Sequence, residues 1–451
     1  MKAYELDRFL GIEIYATKTS GLGGNIRELP EDFIVEETLV DGAKASVTGE
    51  VPPRVIGSTQ NQQRFLLCTL VKKNWDTFIA VKNVAKALDV NQDRVQFAGI
   101  KDAKALTAQF ITVENVSAEE VAKVNVKDIQ VHPVGYVREP LSLFYLLGNH
   151  FTVTIKNVNL TETEAEIQIN KTLEELTSVG GMPNFYGHQR FGTTRPITHL
   201  VGKALSQGKF EEAAMLFLAN PSSYEHTRSR EARQKLQETK DFKQASEIFP
   251  NQLRFERLML LHLAEQPTDF VGAFKRLPPK LLALFVQAHQ SYLFNRFISE
   301  RVKAGLPLGE ATVGDFVVGV ERSGLPLTTA MKVASVENLN EINAQVKAGK
   351  LKVALPIVGF KQKLSQGVMG QVEKEVLMQE RVEVDNLWAN ELSRFGGKGG
   401  LRALVTPVLD FKLQRIGDEK VMLSFMLHRG CYATVFLREI MKPQNPVAAG
   451  F

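Results

Sequence analysis

The texture of the chain changes twice, and that order limits the folds open to it. Up to about Pro196 the sequence runs in short apolar stretches rich in Phe, Ile, Val and Leu, such as "DFIVEET", "RFLLCTLVK", "RVQFAGI", "QFITVEN" and "HFTVTIKNV", which read as strands. One helix stands among them, "DTFIAVKNVAKALDV". Phe78, Val81, Ala85 and Leu88 share a face with Val84 beside them, Lys82 and Lys86 lie elsewhere, and Asp76 or Thr77 caps the start. Beyond Pro196 come helical stretches, "HLVGKALSQGKFEEAAMLFLA", "REARQKLQETKDFKQASEIF", "FERLMLLHLAEQ" and "PKLLALFVQAHQSYLFNRFISERVKAG". A β-like stretch, "GDFVVGVERSGLPLTTAMKVASV", follows, and the tail returns to strands in "VTPVLDFKLQRI" and "KVMLSFMLHRGCYATVFLREI". Strands, helices, strands predict a second domain inserted into the first, and 451 residues are too many for one ordinary domain.

Several function classes are excluded early. At 44% hydrophobic and 23% charged residues the chain can build sizeable cores in water. No apolar run reaches membrane-spanning length, and the opening "MKAYELDRFLGIEIYATK" lacks the uninterrupted apolar core of a secretory signal. Two cysteines, Cys68 and Cys431, can make neither a disulfide framework nor a four-ligand zinc site, which fits a reducing cytoplasm. The histidines are scattered, and His188 and His199 have no carboxylates at ligand spacing, so no metal is expected. "GLGG" at Gly21–Gly24 and "GGKGG" at Gly396–Gly400 match neither a Walker loop nor a dinucleotide fingerprint. Both read as flexible loops, the second with Lys398 and Arg402 in reach of phosphate.

Charge is concentrated. Of the net +5, most falls between Asn61 and Phe110, where Arg64, Lys72, Lys73, Lys82, Lys86, Arg94, Lys101 and Lys104 outnumber four aspartates. A phosphate-binding face has this composition, as does an ordinary solvated helix surface.

Two stretches could carry chemistry. In "AGIKDAKALTAQ" a strand breaks at Gly99 and Asp102 follows. The aspartate reads either as the N-cap of a helical turn or as a carboxylate in a basic groove, able to act as nucleophile, base or counter-charge. In "GGMPNFYGHQRFGTTR" Asn184, Tyr186, His188, Gln189, Arg190 and Arg195 crowd between glycines, with Phe185 and Phe191 read as core anchors. An aromatic face can stack a base, an amide can read its edge and arginines can hold phosphate. Asn184 is equally a turn residue on local grounds.

Four segments in this order, "ELPEDFIVEE", "AGIKDAKALTAQ", "PNFYGHQRFG" and "GCYATVFLREI", resemble the TruD family of tRNA pseudouridine synthases, over a little more than half the chain. The resemblance implies an α/β (α+β) fold. Its catalytic domain would have a mixed, largely antiparallel sheet, in residues 1–206 and 405–451. A large inserted α/β domain, residues 207–404, would complete a V shape across a basic cleft. The resemblance implies isomerisation of a tRNA uridine, by default at position 13, to pseudouridine. Asp102 falls on the catalytic carboxylate, Asn184 on the amide that contacts uracil, and Tyr186 on the stacking aromatic, which is phenylalanine in some members. Arg27 stands where other members have a basic lysine, and Tyr432 matches a position that is often aromatic. Lys72, Lys73, Lys82, Lys86, Lys101 and Arg190 would meet RNA phosphates. No cofactor or nucleotide is implied, tRNA is the partner, and the protein would act as a cytoplasmic monomer. The alternatives are a non-catalytic RNA-binding relative that chaperones tRNA through the same cleft, and a nucleotide-dependent enzyme using a Gly-rich loop.

Overall fold

A computed structural model of the chain describes residues 3–53, 55–383, 397–417 and 419–451. The first strands are β1 (Phe33–Leu39), β2 (Phe65–Lys73), β3 (Val95–Phe97), β4 (Leu106–Glu114), β5 (Ile129–Val137) and β6 (Leu146–Lys156). A two-residue strand β7 (Met182–Pro183) precedes the helical block. After that block come β8 (Phe316–Val320), β9 (Pro326–Val333), β10 (Leu351–Ile357), β11 (Gly400–Ala403), β12 (Val405–Thr406), β13 (Leu409–Gly417) and β14 (Lys420–His428).

β1–β6 join β13 and β14 in one eight-stranded sheet of order β13-β14-β6-β1-β4-β2-β5, with β3 also paired to β4. β1 runs parallel to the start of β4, Ile34 opposite Leu106, and the other pairings in this sheet are antiparallel. The sheet is thus mixed and largely antiparallel, as expected. β3 takes over further along β4, Gln96 opposite Thr112, and the chain between β3 and β4 carries Asp102. A second sheet, β11-β10-β8-β9, lies within the middle of the chain, and β12 pairs with β7 in a separate two-stranded sheet.

β2 shows why the first half folds as it does. Its side chains alternate between two apolar clusters. Leu66, Cys68 and Leu70 meet Val81, Val84 and Ala85 of the helix Thr77–Ala87. Phe65, Leu67 and Val71 meet Leu39, Val55 and Phe110. Asp76 caps that helix, accepting from the N–H groups of Phe78 and Ile79. Phe78, read as part of the buried face, is instead half-exposed in the helix's first turn, edge-on to Phe97.

The helices Thr198–Ser206, Phe210–Leu218, Thr227–Thr239, Phe242–Ile248, Arg254–Glu265 and Phe270–Lys275 gather around their own core, which includes Val201, Leu218, Leu236, Met259 and Phe274. The long helix Pro279–Lys303 ties this core to the main one. Leu282 and Phe285 sit in the helical cluster, while Ala288, Phe294 and Phe297 sit with Phe33, Phe151, Val353 and Phe425. Among the described residues no helix is long and apolar enough to cross a membrane.

Three readings change. "GCYATVFLREI" does not continue the strand: β14 ends, Gly430 turns at φ +79°, and Ala433–Met441 is a helix. Every residue of that helix is buried, so it has no polar face and no 3.6-residue alternation to read. The helix Glu162–Ser178, opened by a Thr161–Glu164 capping box, was not read at all. "GLGG" is not a flexible loop but a close crossing. A Cβ on Gly21 would stand 2.0 Å from the Met441 carbonyl oxygen, and one on Gly24 2.5 Å from that of Lys156. In "GGKGG", Gly396 lies outside the described residues.

Candidate active site

Asp102 caps nothing. The residues after it are bends leading into β4. Its side chain is 30% exposed, and Oδ1 accepts from Arg27 Nη2 at 2.7 Å. Arg27 also donates from Nη1 to the Gly450 carbonyl at 3.1 Å, and its guanidinium lies 3.8 Å above the Phe33 ring. Burial pulls Arg27 below the ordinary guanidinium range while the Asp102 charge pushes it back up. Arg27 takes a left-handed backbone, φ +59°, uncommon for a residue with a Cβ and a strain typical of functional positions.

The loop that presents Asp102 is held at four points. Gln109 Nε2 donates to the Gly99 carbonyl at 3.0 Å. The Lys101 N–H donates to Thr77 Oγ1 at 3.0 Å. Lys101 Nζ pairs with Glu37 Oε1 at 2.6 Å, the two side chains being 3% and 0% exposed. Lys72 Nζ donates to the Asp102 carbonyl at 2.7 Å and to the Trp75 carbonyl at 2.8 Å. Burial pushes Lys72 down to about 8, against the opposing charges of Asp102 and Asp76.

These placements correct the charge reading. Lys72 and Lys101, expected at RNA phosphates, are internal, because each is committed to a buried partner beside Asp102. Lys73, on the opposite face of β2, is partly exposed and paired with Glu31. Lys82 and Lys86 are exposed on the helix Thr77–Ala87.

A second group forms around "PNFYGHQRFG". Asn184 is buried at 5% exposure, and Phe185 and Phe191 are core anchors, as read. Tyr186 is half-buried, its ring edge-on to Phe294 at 5.6 Å and to Tyr432 at 6.0 Å. Asn295 clamps the Tyr186 backbone, accepting from its N–H at 2.8 Å and donating to its carbonyl at 3.0 Å. Arg190 donates to Ser291 Oγ and Gln287 Oε1 and lies 5.9 Å from the Tyr186 ring centre. Burial raises the Tyr432 phenol, so it stays protonated. His188 is no metal ligand: it meets Asp7 Oδ1 at 2.8 Å, and Arg438 holds the other Asp7 oxygen.

Two residues bridge the groups. Gly450 accepts from Arg27, and the Phe451 ring packs edge-on 5.8 Å from His188. A series of ring contacts also runs from the first group toward the second. Phe33, under Arg27, leads through Phe151 and Phe425 to Phe436, in the helix that follows Tyr432.

Glu37 was missed, and Lys72 and Arg402 were read in other roles. Glu37 and Lys72 stand in phase with apolar neighbours on their strands, a signal for a buried charge that needs a partner. Arg402 was read only as a loop residue near phosphate, yet it lies 4.2 Å over the Tyr186 ring and donates to Asn184. Among the described residues no group of three or more His, Cys, Asp or Glu side chains could hold a metal.

The whole chain has known relatives. The model of the family described as tRNA pseudouridine synthase D (TruD) matches residues 9–440, extending the resemblance through the helical block. A Methanosarcina acetivorans protein named "Probable tRNA pseudouridine synthase D" is 36% identical over 98% of each chain. A Pyrococcus abyssi protein of the same name is 38% identical over 95% of this chain and 98% of its own. The crystal structure of a Methanosarcina mazei protein assigned as tRNA pseudouridine synthase D superposes with a TM-score of 0.81 at 35% identity, covering 99% of this chain and 100% of that one. With a family match and relatives spanning nearly its full length, the chain belongs to the TruD family of tRNA pseudouridine synthases.

Proposed function

We propose that this isomerase converts a uridine of tRNA, by default uridine 13, to pseudouridine, with Asp102 acting on a nucleotide flipped out of the stack. The reaction breaks the uracil N1–C1′ bond, turns the base and rejoins it through C5. No atom is gained or lost and nothing is oxidised, so the chemistry calls for no cofactor. The observation that carries the reading is the Asp102–Arg27 pair, a carboxylate open to solvent on one side and fixed by a buried cation on the other. Attack on C1′, removal of the C2′ proton and addition to the ring could each start from this group.

The second group supplies the hold on the base. Flipping costs a few kcal/mol, and stacking on Tyr186 returns about 1–3 kcal/mol. The Asn184 amide reads the uracil edge and Tyr432 closes the aromatic side. Lys73, Lys82, Lys86 and Arg190 meet phosphates. Residues 1–206 with 405–451 form the catalytic unit and 207–404 the insert, a division supported by the segregation of the two larger sheets. The basic cleft of a V-shaped molecule lies between them. The protein works as a cytoplasmic monomer.

The test is to incubate the purified chain with unmodified tRNA and map pseudouridine by carbodiimide labelling. One new mark at position 13 is expected. A mark elsewhere moves the target uridine. No mark on any tRNA, with RNA binding intact, would establish the non-catalytic alternative.

A further inference from the structure

The Asn184 amide is oriented before any substrate arrives, and a residue of the middle segment orients it. Arg402, on β11, donates from Nη2 to Asn184 Oδ1 at 2.6 Å and from Nε to the Asn184 carbonyl at 3.0 Å. The same Nη2 donates to the Gly430 carbonyl at 2.8 Å. On the other side, Asn184 Nδ2 donates to the Ala403 carbonyl at 2.9 Å. The chemistry of these partners permits one orientation. Turning the amide by 180° would set its NH2 against a guanidinium, donor to donor, and its oxygen against a carbonyl, acceptor to acceptor. One N–H and one oxygen lone pair of the amide remain for a ligand.

We propose that Arg402 is a positioning residue that sets the preference for uracil over cytosine by locking this amide. The proposal rests on the reading that Asn184 meets the base. Uracil presents an N3–H donor flanked by carbonyl acceptors. Cytosine presents an N3 acceptor beside an amino donor, the reverse pattern. An amide free to turn serves both, and a locked amide serves one. The guanidinium lies 4.2 Å over the Tyr186 ring, a cation–π contact that helps hold it in place.

The experiment compares equilibrium binding of two tRNAs that differ only in U or C at the modified position, in an Asp102→Asn background that prevents turnover. The unaltered lock should favour U by at least about tenfold, since a polar site rejects a ligand that leaves its groups unmatched. Arg402→Met keeps the stem over Tyr186 but removes the donors, and the ratio should fall several-fold, with the Ala403 carbonyl still resisting a turn. Arg402→Glu puts an acceptor where the donor stood and should lower the ratio further. A structural clamp alone would weaken both RNAs equally, so an unchanged ratio overturns the proposal, as does a ratio near one with Arg402 intact. If Arg402→Met fails to fold, Arg402→Leu is read in its place, since it too removes the donors. Asn184→Ala separates the two layers. If it leaves the ratio unchanged, the base-reading role of Asn184 fails. If it collapses the ratio while the Arg402 variants do not, only the role of Arg402 fails.

Discussion

The Asp102 loop and the Asn184–Tyr186 group are built on opposite principles. The loop is held by charges in apolar surroundings: Arg27 on the carboxylate, Lys72 on its carbonyl, and Lys101 against Glu37 beneath. All its anchors come from one stretch, residues 27–109. The second group is held by neutral amides and edge-on rings, with Arg402 as the central cation. Its parts come from four distant stretches, around residues 184, 295, 402 and 430. Losing one partner of a buried ion pair leaves a bare charge, so the loop should break sharply. Losing a ring or an amide contact removes a graded amount of binding. The first group is mounted on ion pairs, the second on hydrogen bonds and ring contacts.

The largest effect should separate catalysis from binding. Asp102→Asn keeps the shape and is expected to lower pseudouridine formation by at least about a thousandfold, while tRNA affinity stays nearly intact. Wild-type turnover in single-turnover assays would remove Asp102 from the chemistry.

Next comes the mount itself. Glu37→Ala strands the Lys101 ammonium in the core and should cost about 3–5 kcal/mol of stability, read from urea midpoints. A cost below about 1 kcal/mol, the range of an exposed pair, would mean that the pair is not what holds the loop.

Lys72 gives a pH signature. Burial lowers it to about 8, so between that pH and the ordinary lysine range the unfolded chain binds the extra proton. Stability from this group therefore rises with pH across that window. Activity should run the other way, because above about pH 8 the cation beside Asp102 is lost. An alkaline limb in kcat/KM is expected near that value and should vanish in Lys72→Met. An identical limb in the variant would assign it to another group.

The smallest effect lies outside both groups. Lys82→Gln and Lys86→Gln should each weaken tRNA binding a few-fold, with the salt dependence of log K falling by about one unit per lysine. Unchanged slopes would take this helix face out of the interface.

Much of this was legible in the residues, and what escaped did so for physical reasons. Seven strands of the large sheet, the helix Thr77–Ala87 and the helical block followed from periodicity and length, whereas β5, interrupted by Pro133 and Gly135, was not read. Lys72 was misplaced because charge was counted along the chain rather than by strand face, and Lys101, on the loop between β3 and β4, meets its partner Glu37 only in the folded chain. Leu66, Cys68 and Leu70 are buried together, and Lys72 continues their parity. Glu37 likewise keeps step with Phe33 and Val35 on β1. The helix Ala433–Met441 hid because burial on all sides erases its polar face. Arg402 was not recoverable from spacing: only the folded chain brings it to Asn184, far away in sequence.

The sheet order also has a kinetic meaning. β6 pairs on one side with β1, made early, and on the other with β14, near the end of the chain. During synthesis that second edge stays bare until the last strands emerge, a template for unwanted pairing. Tyr432 and the Gly430 carbonyl follow β14, so on the proposed reading of the site its parts come together only once the tail docks. Such distant pairings make for slow maturation, and a nascent chain can neither gain activity early nor shield that edge by itself.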